Sequence, residues 1–216
     1  MSEEYDLRFK LARNCMVVGP SCCGKSHFVA KLIQKEYFTP APRHIYWFYG
    51  QVAPSEKIKG VIYQQGIPSE EQIERFFQSV VILDDLMMES RSNANVANLF
   101  TRVAHHRQCL VILLSQNLYQ NGSCTRTQSL NTHYLILFKN PRDKLQVQCL
   151  ARQMYPQNRQ FLQASFEDAT REPYNYLLID LNVETPDNLR LRTNIILEGG
   201  DKQSIEVYVP VEDEGN

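Results

Sequence analysis

The chain has 216 residues, 43% of them hydrophobic, with 23 Lys and Arg against 24 Asp and Glu. That length suits one α/β domain with a full core, and the ordinary apolar content excludes a disordered or fibrous chain. A net charge of −1 singles out no polyanionic partner, and no apolar run nears the ~20 residues that cross a bilayer, so no membrane role is expected.

The six cysteines show no C-x-x-C pair and no zinc-type spacing with histidine, as in a reducing compartment. The start, Met1 to Asp6, is polar and acidic and does not read as a signal peptide. A soluble, intracellular protein is expected.

Cys15 to Val18 is a short apolar run suited to a buried parallel strand. It leads into Gly19-Pro20-Ser21-Cys22-Cys23-Gly24-Lys25-Ser26, which fits G-x-x-x-x-G-K-[ST] at every fixed position. The two glycines let backbone N–H groups converge on a polyphosphate as a nest of partial positive charge. Lys25 adds a full charge at the β- and γ-phosphates, and the Ser26 hydroxyl completes a Mg²⁺ shell. His27 follows, and Phe28, Val29, Leu32 and Ile33 then recur at helical spacing. Strand, loop and helix are the context the motif requires, so Gly19 to His27 is expected to bind ATP or GTP. The adjacent thiols of Cys22 and Cys23 make oxidation sensitivity of this loop a further expectation.

His44 to Gly50 reads as a second strand, rich in aromatics and ended by glycine, and Gln51 to Gly66 as a polar, turn-like stretch. Ser69 with Gln72 three residues later marks a capped helix start, with Ile73, Phe76 and Phe77 as its apolar face. Val80 to Leu83 then runs into Asp84-Asp85. A buried strand would hold these carboxylates rigidly beside the phosphate loop. Asp84 is assigned to Mg²⁺. Asp85, one residue on, is assigned as the general base facing a water opposite the γ-phosphate, with Glu89 as its substitute. Aspartate here is a methylene shorter than the glutamate usual at this position.

The strand His44 to Gly50 lies between the two motifs in sequence, an arrangement typical of ATPases with an inserted central strand. RecA-like and AAA-type motors share it; nucleotide kinases and small GTPases do not. The guanine-reading signal [N/T]-K-x-D is absent, which favours ATP over GTP.

Asn95 to His105 reads as a helix with Val96, Leu99, Phe100 and Val103 on one side. His105 and His106 have no companions for a metal site and read as helix-end histidines favoured by the dipole. Arg107 is the first candidate for an arginine lent to a neighbouring subunit's transition state; Arg102, Arg126 and Arg142 are its rivals. Cys109 to Asn117 is a fourth strand, and the amide of Gln116 at its end can hydrogen-bond the attacking water or the γ-phosphate.

His133 to Lys139 is a fifth strand, followed by helices over Leu145 to Met154 and Arg159 to Ala169. Tyr176 to Leu181 is a sixth strand and Ile205 to Val209 a weak late one. Between Thr101 and Arg171 the charged residues are basic apart from Asp143, Glu167 and Asp168. Such a stretch suits a polyanion, or else is scattered solvated charge. The expected fold is α/β, a P-loop NTPase of RecA-like (ASCE) type whose mostly parallel central sheet is flanked by helices. It is expected to span 1–198, with a partly flexible acidic tail over 199–216.

The phosphate loop, Asp84-Asp85-Leu86, His105-His106-Arg107 and Leu113-Leu114-Ser115-Gln116-Asn117 occur in that order. Ser129-Leu130-Asn131-Thr132-His133-Tyr134, Phe138-Lys139-Asn140-Pro141-Arg142-Asp143 and Tyr176-Leu177-Leu178-Ile179-Asp180 follow. Over roughly Ala12 to Asn194 the chain resembles the FtsK/HerA-type DNA packaging ATPases of double-stranded DNA viruses. The likeness is greatest to versions in polinton or Maverick elements and adintoviruses, with the poxvirus type more distant. The resemblance implies a ring-forming homo-oligomeric motor that uses ATP and Mg²⁺ to pump double-stranded DNA into a preformed capsid, docked on capsid vertex proteins. It implies work at assembly sites in the host nucleus or cytoplasm, or on the virion. It also implies the roles already given to Lys25, Ser26, Asp84, Asp85 and Gln116. A DNA grip of this kind holds phosphates rather than reading bases, and Arg126 to Arg159 is the expected channel segment. A helicase, a partition ATPase, an ATP-dependent switch and a small-molecule kinase are the competing readings.

Overall fold

The computed structural model describes residues 5–86, 94–119, 131–196 and 204–210. Its elements run β1 (Phe9–Lys10), β2 (Arg13–Val18), α1 (Lys25–Gln34), β3 (Phe38–Thr39), β4 (His44–Tyr49), β5 (Val61–Gln65), α2 (Glu70–Arg75) and β6 (Ser79–Asp84). A helical segment follows as α3 (Ala94–Asn98), a π-helical turn (Leu99–Val103) and α4 (Ala104–His106). Then come β7 (Leu110–Ser115), β8 (Tyr134–Phe138), α5 (Leu145–Met154), α6 (Arg159–Ala169), β9 (Tyr176–Asp180), β10 (Leu191–Thr193) and β11 (Glu206–Tyr208). No helix among the described residues is long and apolar enough to cross a membrane.

Among the described residues, nine strands form one sheet in the order β11-β10-β9-β8-β2-β7-β6-β4-β5. Pairing is parallel from β5 through to β8 and antiparallel across β8-β9-β10-β11. The central strands are apolar throughout because both faces are covered, and the two-residue alternation deals their side chains to two cores. Val17, Val80, Ile82, Ile112, Leu114 and Ile136 meet Phe28, Val29, Leu32 and Ile33 of α1 on one face. Met16, Val18, Val81, Leu83, Leu113 and Leu137 meet the helices on the other face, including Leu99, Phe100, Leu150 and Leu162. Each such fully buried side chain contributes about 1.5–3 kcal/mol.

The structure differs from the sequence reading at five places. Val61–Gln65, within the stretch read as turn-like, is an edge strand parallel to β4. An edge strand needs only one partner and one packed face, so Val61 and Tyr63 carry it while Ile62 is exposed. Strand β10 escaped notice because it is built around a charge: Arg192 is 1% exposed and donates to Asp180 Oδ2 at 2.8 Å. Helix α2 has the expected capping box, yet it stops at Arg75. Phe76 is buried beyond its end, whereas Phe77 is exposed under the Arg43 guanidinium and does not join that apolar face.

The helix expected over Asn95 to His105 is present, but a π turn widens its centre. There the buried Asn14 amide donates to the Phe100 carbonyl at 2.7 Å, tying the turn to β2. Finally, the strand lying between β2 and β6 in the sheet is β7, not His44–Tyr49, which pairs on the outer side of β6. The late strand read over Ile205 to Val209 is present at Glu206–Tyr208 and pairs with β10. Glu89, Cys124, Arg126, Ser129 and Leu130 lie outside the described residues.

The Arg192–Asp180 pair fixes the antiparallel extension of the sheet to its core. Removing one partner leaves a buried charge uncompensated, at a cost of about 3–5 kcal/mol. Arg192→Met is therefore expected to lower the urea midpoint by that equivalent, and Asp180→Leu added to it to recover most of the loss.

Candidate nucleotide site

The functional side chains gather at the carboxyl edge of the parallel strands, where β2, β6 and β7 end together. The main chain turns from β2 into the phosphate loop at Gly19, whose N–H donates to the Ser115 carbonyl at 3.1 Å. A side chain at Gly19 would strike Cys23 Sγ and Phe138 Cβ at 2.6 and 2.7 Å, so the loop closes only over a glycine. Cys22 and Gly24 adopt left-handed backbone, at φ 62° and 103°. At Gly24 the glycine makes that conformation free of strain. No side chain caps α1, which starts at Lys25 with Gly24 as its N-cap. Its first N–H groups and its dipole therefore offer themselves to an anion.

Lys25 Nζ donates to the Gly19 and Pro20 carbonyls, both at 2.8 Å, which holds the ammonium inside the loop. Ser21 and Cys22 at the loop's tip are exposed, as is His27 in the first turn of α1. Cys23 is half-buried, and burial pushes its thiol up, which keeps it a neutral, poorly reactive thiol. The expected oxidation sensitivity thus falls on Cys22.

Two motifs far apart in sequence meet at one carboxylate. Ser26 Oγ donates to Asp84 Oδ2 at 3.0 Å, and Trp47 Nε1 donates to the same oxygen at 3.2 Å. Trp47 lies opposite Ile82 in the β4–β6 register, the diagonal neighbour of Asp84 on one face. Its role went unread because it depends on which strands are adjacent. Burial pushes the Asp84 carboxyl up, and the bonds from Ser26 and Trp47 oppose that shift.

Asp85 follows with φ 53°, a left-handed conformation that aspartate tolerates better than most residues, and its side chain is exposed. Gly50 makes this turn possible. Its N–H donates to Asp84 O at 3.0 Å, and a Cβ there would sit 2.4 Å from Asp85 O.

Gln116, exposed at the end of β7, stands between the phosphate loop and Asp84 in the strand order. Its neighbours are pinned to α5, since Gln146 accepts from the Leu118 N–H at 2.6 Å and donates to Asn117 Oδ1 at 3.3 Å. Arg107 is at the other edge. It precedes β7, so roughly 20 Å of strand separates it from Gln116. It cannot reach the phosphate loop of its own chain, and Arg102 shares its edge. Arg142 lies in the exposed loop after β8, on the loop's side of the sheet.

The donor set fits a Mg²⁺-bound triphosphate. Ser26 and Asp84 supply hard oxygens side by side, while no group of three or more His, Cys, Asp or Glu among the described residues forms a closed metal site. Magnesium characteristically takes one or two protein oxygens and completes its shell with phosphate and water.

No protein-family model matches the chain, and no curated protein matches its sequence. Solved structures do share its fold. The DNA-packaging ATPase B204 from Sulfolobus Turreted Icosahedral Virus superposes with a TM-score of 0.52 at 12% identity, covering 94% of this chain and 100% of that one. The genome packaging NTPase B204 from Sulfolobus turreted icosahedral virus 2, in complex with ATP-gammaS, gives 0.51 at 13% identity, covering 93% and 98%. The fold is thus the α/β P-loop NTPase architecture.

Two outcomes follow from the carboxylate turn. Gly50→Ala must displace the Asp85 carbonyl and is expected to destabilise the protein by about 1–3 kcal/mol in denaturant unfolding. Asp84→Asn keeps an oxygen for Ser26 and Trp47 but removes a charge whose burial is unfavourable. An acid raised on folding stabilises below its unfolded pKa and loses that contribution as pH rises through the folded one. Without nucleotide, Asp84→Asn is therefore expected to melt above the parent at neutral pH, with the gap closing near pH 3.

Proposed function

We propose that this chain is an ATP-driven motor that moves double-stranded DNA into a preformed capsid, working as a homo-oligomeric ring of the FtsK/HerA type. The observation that carries the nucleotide part is the Ser26–Asp84 hydrogen bond, which joins the phosphate loop to the acidic strand end with Gln116 between them. The packaging part is supported by the family resemblance of the ordered motifs and by a fold shared with the packaging ATPase B204.

In this reading the N–H groups of Gly19 to His27 cradle the phosphates, and Lys25 exchanges its carbonyl partners for β- and γ-phosphate oxygens. Ser26 and Asp84 would hold Mg²⁺, which supplies charge neutralisation at the transferring phosphoryl group. Asp85, free of the buried network around Asp84, orients the attacking water and takes its proton. Gln116 hydrogen-bonds that water or the γ-phosphate, and the Asn117–Gln146 contact passes the change in occupancy to α5. Arg107 acts on a neighbouring copy's site or not at all, because its own site is across the sheet.

Lys139, Arg142 and Lys144 are exposed at the carboxyl edge and are the DNA contacts this reading favours. Arg152 and Arg159 sit where α5 and α6 join, a helix length of about 15 Å away, so the basic run is not one patch.

ATP hydrolysis measured with and without double-stranded DNA, across protein concentration, tests the proposal. Stimulation by DNA and a rate per chain that rises with concentration are expected for shared sites; slow turnover indifferent to both would indicate a switch. Lys25→Ala is expected to abolish hydrolysis and packaged genomes together, and normal packaging in that variant would overturn the motor. Asp85→Asn is expected to lower kcat by about 10²-fold or more while ATP still binds.

A further inference from the structure

Beside the phosphate loop a cleft of about 740 Å³ runs along the carboxyl edge, away from Asp84. It is lined by His27 and Lys31 on α1, by Tyr174 and Asn175 just before β9, by Asn194 just after β10 and by Glu206 of β11. Its size is that of a small-molecule pocket. These residues come from four separate segments, brought to one edge because β9, β10 and β11 extend the sheet past β8.

Tyr174 is the unusual member. It is 71% exposed, although nearby Phe28 packs edge to face on Phe138 and Tyr176, which tilt against each other. Its backbone is left-handed, at φ 67°, an uncommon conformation for an aromatic residue. The ring is held against the loop: its Cδ1 lies 3.5 Å from where a Cβ on Gly24 would stand. A strained backbone thus presents a flat apolar face beside the phosphate loop rather than burying it. At the far end, Asn194 Nδ2 donates to Glu206 Oε1 at 2.9 Å, so an amide and a carboxylate edge the cleft.

Strand order fixes the direction of a bound nucleotide. Asp84 and Gln116 lie on one side of β2 and Tyr174 on the other, in the sequence β6-β7-β2-β8-β9. A triphosphate whose γ end faces Asp84 leaves the loop over His27, toward Tyr174. We propose that Tyr174 is the platform on which the nucleotide base stacks, with the Asn194–Glu206 pair at the edge of the base pocket. The inference rests on the nucleotide reading above, and adds the residue that holds the base.

Stacking on an aromatic ring is sequence-tolerant and its loss is felt by the base alone. Binding of Mg-ATP and of Mg-tripolyphosphate, which has no base, separates this from a role in shaping the loop. Tyr174→Ala is expected to weaken ATP about tenfold or more and to leave tripolyphosphate unchanged, while Tyr174→Trp restores ATP binding. Equal weakening of both ligands, or unchanged ATP binding, would overturn the platform. Lys25→Ala is expected to weaken both ligands; if it weakens neither, the phosphate reading fails, and the ATP-to-tripolyphosphate ratio in Tyr174→Ala still decides the platform.

Discussion

The hydrogen bond from Ser26 to Asp84 is the contact on which the site depends. It ties the first turn of α1 to the end of a strand two places away in the sheet, and Trp47 braces the same oxygen from the third. Burial disfavours the Asp84 charge, so the two donors and nearby Lys25 are what make a carboxylate tolerable there.

Sheet order explains the division of labour around that contact. β7 lies between β2 and β6, so Gln116 just past its end falls between the phosphate loop and Asp84. The same strand carries Arg107 to the opposite edge. β7 therefore separates Gln116, at the phosphate-loop edge, from Arg107 at the opposite edge. On the far side of β2, the antiparallel strands lengthen the carboxyl edge beyond the phosphate loop.

That extension shares both apolar cores through Leu177, Leu178, Ile179 and Leu191, and a buried ion pair adds to them. Arg192 and Asp180 are both almost fully buried, and Asp180 also accepts from the Asn182 backbone and side chain. Arg190 adds donors to the Asp180 and Thr185 carbonyls. Hydrogen bonds fix register and angle more narrowly than packing does, which suits an extension whose upper edge positions Tyr174, Asn194 and Glu206.

The sequence by itself determined the phosphate loop, the strand ending in Asp84-Asp85, the central apolar strands and most helices. These features are local: a motif with fixed spacing, or a periodicity within one element, is complete in a short window. It also determined the α/β class, because short apolar runs alternate with helical ones. Only the tertiary structure decided which strands are neighbours. Trp47 as the second donor to Asp84, Gly50 as the glycine that admits the Asp85 carbonyl, and Tyr174 beside Gly24 are relations between segments far apart in the chain. The edge strand at Val61–Gln65 and the charged strand at Leu191–Thr193 lacked a pattern because one is half solvated and the other is neutralised by a partner twelve residues away. Arg107 shows the limit most plainly. Its type and its place before a strand were legible, but the direction of that strand, set by parallel pairing with β2, decided that it faces away from its own site.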